Sequence, residues 1–345
     1  MMSPLRLACS QTARRRAHLS ATGFSCMAVL FLLLNSPEFL HAQGPPQAAS
    51  PPPGTISVRV DRVDVGVTVT GWHGDFVKGL RREDFHVFDD GAEQQISGFL
   101  PIEEPAQIVL MMESGPAALF LKKSELQAAD AFLSSISPSD RVAIVSYSKV
   151  PSMVLGFTTD KTEVRSALHG MNFMAGFADL NLASSIAATL DWLSSLPGKK
   201  TLVLLSSGID TSPIENWQFI QQKIRTSDVR ILAVSVAGDL RKPAKKRGLS
   251  ADERDDRKNV KTAFAEADQL LRELSTATGG RVYIPKNADQ LNRAYLEIAQ
   301  LVRHEYSLEF VPPSPDGRLH SVTVKVNRAW CHVDHRQAYL APTPL

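Results

Sequence analysis

Four nearly unbroken apolar runs constrain this chain more than any other feature. Ile108-Val109-Leu110-Met111-Met112, Val142–Ser146, Thr201–Leu205 and Arg230–Val236, with a shorter run at Arg281–Ile284, lack the alternation of a strand that has one wet face. A strand without alternation is covered on both faces, which is the situation in a parallel sheet lying under helices. Amphipathic stretches separate the runs, at Lys122–Ser135, Leu182–Leu196, Ile214–Arg225, Val260–Thr278 and Ala288–His304. Strand and helix therefore alternate, and the expected class is α/β, a mostly parallel sheet with helices on both faces. Met153–Phe157 follows the second run after a turn too short for a helical crossover, so it is expected to be antiparallel to that run. Ser137-Pro138-Ser139-Asp140 stops the first helix, and Thr278-Gly279-Gly280 ends a later one through a glycine cap. Residues 239–261 are dominated by charged and polar side chains and read as a solvated excursion.

The flanks have a different texture. Ile56, Val58 and Val60, then Val63, Val65, Val67 and Val69, alternate with polar residues, as half-buried strands do. Gly71-Trp72-His73-Gly74-Asp75 reads as a turn, and Leu80–Phe88 with Asp89-Asp90-Gly91 as a strand closed by a tight turn. Tyr306–Val311, Ser321–Val326 and Cys331–Tyr339 alternate in the same way near the other end. Two or three strands are unstable alone. The two sets are therefore expected to join into one small sandwich-like β domain, 55–101 with 306–342, around an α/β domain at 102–305. Residues 43–54 (QGPPQAASPPPG) form a linker.

The beginning of the chain reads as an export signal. Arg6, Arg14, Arg15 and Arg16 precede the apolar stretch Ala21–Leu34, and Leu40-His41-Ala42 offers a cleavage site after Ala42. The alternative is an uncleaved membrane anchor; otherwise the product is periplasmic or extracellular. The whole chain has 38 basic and 36 acidic side chains, and residues 1–42 hold four of the former and one of the latter, so the remainder is nearly neutral. With no basic stripe, nucleic acid is not an expected partner. Cys9 and Cys26 leave with the signal, and Cys331, placed by the pattern in a strand at Ala329–Val333, is expected to be an inert, half-buried thiol.

The succession "VDVGVTVTGWHGDFVKGLRREDFHVFDDGAEQQISGF", "AQIVLMMESGPA", "KTLVLLSSGIDTS" and "ATGGRVYIPKNADQLNRAYLEIAQLVRHEYSLEFVPPSPDGRLHSVTVKV" resembles the von Willebrand factor A-related proteins abundant in acidobacteria. The likeness covers almost all of residues 56–342. It implies a fold in which a divalent cation sits above the carboxyl ends of the central strands, held by an Asp-x-Ser-x-Ser loop, a Thr from a second loop and an Asp after the fourth strand. Such an oxygen shell suits Mg²⁺ and leaves a position for a partner's carboxylate. This chain departs from that pattern: Glu113-Ser114-Gly115-Pro116-Ala117 replaces the first motif, Ala178 stands at the Thr position with Asp179 beside it, and Ser207 stands at the Asp position with Asp210 and Thr211 following. Either Glu113, Asp179, Ser207 and Asp210 form a remodelled site, or they are loop polar groups on an edge that no longer binds metal. The second is the expectation, with no cofactor and at most a weak divalent cation.

Other chemistry finds little support. His332 and His335 are three apart on a strand and face opposite ways. Ser206-Ser207-Gly208 lacks the leading glycine of a nucleophile elbow, and no phosphate-binding loop follows the first apolar run. The expectation is thus a non-enzymatic protein-binding module. Its surface would be the loops Glu113–Leu119, Ala175–Leu182 and Ser207–Glu215, with Glu113, Ser114, Phe177, Asp179, Ser207, Ile209, Asp210 and Trp217 as contact residues. The alternative is an envelope-assembly protein docking through the β domain, and an unrecognised hydrolase stands last.

Overall fold

Apolar runs and amphipathic stretches condense into two structural parts. A computed structural model describes residues 62–101, 105–171, 179–211, 217–236 and 251–343, with backbone alone at 116–125, 251–254, 256 and 257. The expected export signal and linker, the Ile56–Val60 alternation, Phe177 and Ala178 lie outside the described residues. The chain begins with β1 (Val63–Thr70), a single 3-10 turn, β2 (Phe85–Asp89), β3 (Ala92–Gln94) and β4 (Ile96–Leu100). The alternating part follows as β5 (Ala106–Glu113), α1 (Pro116–Ser135), β6 (Arg141–Tyr147), β7 (Pro151–Thr158), α2 (Lys161–Gly170), α3 (Leu182–Ser194) and β8 (Lys199–Ser206). It continues through α4 (Trp217–Thr226), β9 (Arg230–Ser235), α5 (Ala251–Ala277), β10 (Val282–Tyr283) and α6 (Ala288–Arg303). The chain closes with β11 (Glu305–Phe310), β12 (Leu319–Val326), β13 (His332–His335) and β14 (Ala338–Leu340).

The apolar runs form a six-stranded sheet in the order β10-β9-β8-β5-β6-β7. All pairs are parallel except β6 with β7, which is antiparallel, as the short connection requires. In β5 the side chains divide by parity. Ile108, Leu110 and Met112 pack with α1, α2 and α6, whereas Val109 and Met111 pack with α3, α4 and α5. Each fully buried Leu or Ile stabilises by about 1.5–3 kcal/mol, so polar residues on either face of β5 would be costly. The strand can only be continuously apolar.

Three elements differ from the sequence reading. Residues 161–170 form α2, whose Asp160 side chain accepts from the Thr162 and Glu163 amides and whose Val164 and Leu168 reach the core. Within the charged excursion, residues 251–261 are instead the first turns of α5; helix formation there is supported by the apolar face farther along, at Leu271 and Leu274. The stretch Cys331–Tyr339 breaks into β13 and β14, which belong to different sheets, and Ala329-Trp330 is a turn with Trp330 at φ 62°. Cys331 stands at that turn, half-buried and free.

The β strands from both ends of the chain make two antiparallel four-stranded sheets, β13-β1-β11-β4 and β14-β12-β2-β3. Val65 and Val67 of β1, Val87 of β2, Leu308 and Phe310 of β11 and Val324 of β12 share one core. At one end of this core His320 bridges Asp89, Asp90 and Asp316 at 3.0–3.1 Å, and the Tyr339 hydroxyl donates to Asp89. The burial of His320 opposes its charge, but the Asp316 and Asp89 carboxylates hold its pKa above the ordinary imidazole value. No helix among the described residues is long and apolar enough to cross a membrane.

Candidate functional site

The carboxyl ends of β5, β6 and β8 deliver Glu113, Tyr147 and Ser206 side by side, because Glu113 pairs with Tyr147 in register and β8 lies on the other side of β5. Glu113 is only 1% exposed. One of its carboxyl oxygens, Oε2, accepts from both the amide and the hydroxyl of Ser207, each at 2.7 Å. The Tyr147 hydroxyl donates to Ser206 Oγ at 2.6 Å, and the Gly208 amide donates to the same oxygen at 2.9 Å. The other carboxyl oxygen, Oε1, is buried without a hydrogen bond. Burial pushes the Glu113 pKa above the usual carboxylate range, against the opposing pull of the Ser207 hydrogen bonds. Burial, with the nearby Glu113 charge, likewise keeps Tyr147 a neutral phenol.

Around this buried knot the loops are stitched to one another. Ser114 donates its amide and its hydroxyl to the Tyr147 carbonyl, at 2.9 and 3.0 Å. The Leu180 amide donates to Thr211 Oγ1 at 2.7 Å, and the Thr211 amide returns to the Leu180 carbonyl at 2.9 Å. The Asn181 amide reaches the Ser148 carbonyl at 2.8 Å. Asp210 accepts from the Ala183 amide at 3.0 Å, capping the start of α3. Gly208 is at φ 78°, and a Cβ there would stand 2.7 Å from the Ala267 carbonyl of α5, so only glycine permits this close turn.

Residues 112–209 match the von Willebrand factor type A domain family. The chain carries an A-type domain. Domains of this kind are generally protein-interaction modules. Among solved structures, one similar chain is a BatB protein from Bacteroides thetaiotaomicron, 9% identical over 57% of this chain and 97% of that one, with a TM-score of 0.41. An aerotolerance-related membrane protein from Bacteroides fragilis is 10% identical over 57% of this chain and 98% of that one, also at 0.41. A von Willebrand factor type A protein from Catenulispora acidiphila is 10% identical over 80% of this chain and 73% of its own, again at 0.41. No protein of curated function matches.

Among the described residues, the oxygens at the positions of the family's ligand set lie in separate local surroundings. At Gly115, where the resemblance implies a hydroxyl ligand, a Cβ would lie 3.0 Å from Leu180 Cδ2, so a buried leucine fills the space of that side chain. Below the surface, Glu113 Oε2 takes both the amide and the hydroxyl of Ser207, while Oε1 has no hydrogen bond. Asp210 is engaged as a cap, and Asp179 is largely exposed, 4.0 Å from Lys149. A site for Mg²⁺ requires several oxygens at about 2.0–2.1 Å in near-octahedral array, and these carboxylates point into separate local bonds.

The eight residues expected as contacts thus separate into groups. Glu113 and Ser207 are buried and hydrogen-bonded to each other. Ser114, Ile209 and Asp210 are half-buried and Asp179 is exposed on the same edge, while Phe177 lies outside the described residues. Residues 116–119 belong to the first turn of α1 and not to a loop. Trp217 is half-buried at the start of α4, packed on the α3–α5 core and lining a small groove with Ile224, Leu274 and Ala277. Tyr147, Leu180 and Thr211, which organise the edge, have no motif of their own. A tyrosine closing an otherwise apolar run was the one available signal.

Proposed function

We propose that this chain is an exported, non-enzymatic protein-binding module that engages its partner with the loops at the carboxyl edge of the A-type sheet, without a cation. The observation that carries the reading is the Glu113–Ser207 knot. In a cation-dependent edge the metal ties the loops together; here a buried carboxyl accepting from the Ser207 amide and hydroxyl supplies the tie, and Leu180–Thr211 and Asn181–Ser148 extend it. A preformed edge spends little ordering entropy on binding. Export is supported by the basic, apolar and small-residue order of residues 1–42. The absence of catalysis is supported by the state of Ser207: it is buried, its hydroxyl donates to Glu113, and its oxygen accepts from the Ile209 amide at 3.3 Å.

The second reading, docking through the β strands, draws on a separate observation. Trp72 and Trp330 are each 76% exposed and meet edge to face at 5.8 Å. Exposed aromatic pairs are common anchors of interfaces. Photo-crosslinking side chains placed at Ser114, Asp179 or Ile209, and separately at Trp72, distinguish the two in cells of the native host. The first reading expects one discrete adduct from the loop positions that survives excess EDTA. Adducts from Trp72 alone would transfer the function to the β strands, and loss of the loop adduct in EDTA would restore a metal to the mechanism.

A further inference from the structure

On the opposite side of the parallel sheet from Glu113, at the amino end of β9, a cleft of about 360 Å³ opens between the β sandwich and the α3–α4 layer. Its volume lies in the range of small-molecule sites. Most of the charges around it are paired. Lys223 donates to Asp191 at 2.6 Å, Arg62 meets Glu309 at 3.0 Å, and Lys200 meets Asp228 at 2.5 Å.

Arg336 is the exception. It is only 7% exposed, lines the cleft, and has no carboxylate within ion-pair distance among the described residues, although the Asp228 and Asp64 charges act on it from farther off. Among the described residues its one hydrogen bond, from Nη1 to the Thr226 carbonyl, is long at 3.4 Å, and its Nε has no acceptor. A guanidinium stays charged even when buried, and burial makes each unfilled donor costly. Asp64, the other wall residue outside these pairs, is held by the Ser307 hydroxyl, and burial pushes its pKa upward. Val63, Leu190 and Leu340 supply apolar wall beside these groups.

We infer that this cleft binds a carboxylate, of a short organic acid or of a peptide C-terminus, with Arg336 as its counter-charge. A planar guanidinium matches a carboxylate edge to edge. The aspartates at the walls disfavour a dianion such as phosphate, which sets the ligand charge at one. The apolar wall takes the carbon chain. Reaching Nε requires the Arg336 side chain to turn toward the cleft as the acceptor enters, so binding replaces the weak bond to Thr226 with a charge-assisted one.

The test is thermal melting of the full chain at constant ionic strength with propionate, propionamide, inorganic phosphate, and a tripeptide with free or amidated C-terminus. Propionate is expected to raise the melting temperature saturably, with half-effect at about 1–10 mM, and propionamide to leave it unchanged. Ser194→Trp, which places an indole at the mouth of the cleft without removing a charged side chain, should weaken the response at least tenfold. Arg336→Gln should abolish it, and the Ser194 variant serves if that protein does not fold. A free-ended tripeptide acting at lower concentration than propionate, with the amidated form inactive, identifies a chain terminus as the source; the reverse order identifies a small acid. Equal responses to propionate and propionamide, a stronger response to phosphate, an undiminished response in Ser194→Trp, or no saturable response to any carboxylate would overturn the proposal.

Discussion

At Glu113 the energetics turn on the two carboxyl oxygens having different fates. Oε2 receives the Ser207 amide and hydroxyl, whereas Oε1 is buried with no partner. The cost of hiding the charge exceeds what the hydrogen bonds return, so the folded-state pKa is raised. A raised acid pKa means that the unfolded chain releases its proton first as pH rises. Stability therefore falls from the unfolded value, about 4.3, up through the elevated folded value, and is flat beyond it. Glu113→Gln keeps an acceptor for Ser207 and removes the charge. It should melt at or above the parent temperature at pH 8 and lose its part of this acid-side slope. Glu113→Ala leaves the Ser207 donors buried and unmet, at a cost of about 1–3 kcal/mol. If Gln proved as damaging as Ala in pH-resolved melting, the carboxylate charge would have a role that the hydrogen bonds do not describe.

Among the elements, the junction of α5 and β10 is the least forgiving. Gly279 ends the helix at φ 71°, and a Cβ at Gly280 would stand 1.8 Å from the Ile231 carbonyl of β9. That obstacle is backbone in the middle of the sheet and cannot swing aside. Gly280→Ala should cost more than about 3 kcal/mol, toward the severe end for single substitutions, whereas Gly156→Ala, where a Cβ meets nothing within 4 Å, should be nearly neutral in urea titration. Equal midpoints for the two would show that β10 is not held where it is drawn. The glycine pair was legible in the sequence as a helix stop, and the continuous runs announced β5, β6, β8 and β9, because burial on both faces leaves a compositional trace. α2 was not legible: ten residues with two buried side chains give too little periodicity, although the Asp160 cap was in plain view. The same limit governs the site. That Glu113, Ser207 and Asp210 gather at one edge follows from strand topology, but the pairing of Leu180 with Thr211, and of Tyr147 with Ser206, depends on register and loop path that no local pattern encodes.

For the molecule as a whole, the β sandwich and the parallel sheet meet through buried charge. Arg230, on β9, lies 3.2 Å from Glu305, the first residue of β11, and also donates to Thr68 on β1. Both charged residues are almost fully buried, and burial drives the Glu305 pKa upward against the Arg230 charge. Such a pair is poor as a source of net stability and expensive to break from one side. Arg230→Met should therefore cost about 3–5 kcal/mol, and adding Glu305→Leu should recover most of it. Urea unfolding with an unchanged m-value checks both. If the double variant lost as much as the sum of the single ones, the two sites would be acting independently.

The sandwich that is shared between the chain ends also has a consequence for biosynthesis. Asp64 on β1 finds Ser307 on β11 at a separation of 243 residues. At about 5–20 residues per second, the ribosome delivers the partner roughly 10–50 s after the first strand has emerged. During that interval β1 and β2 have open edges, which β11, β12 and β13 later cover. A prematurely terminated product lacks its seal and presents those edges to holding chaperones and proteases. Folding of the sandwich thus waits on synthesis of β11, and a chain stopped before Glu305 leaves β1 without that neighbour.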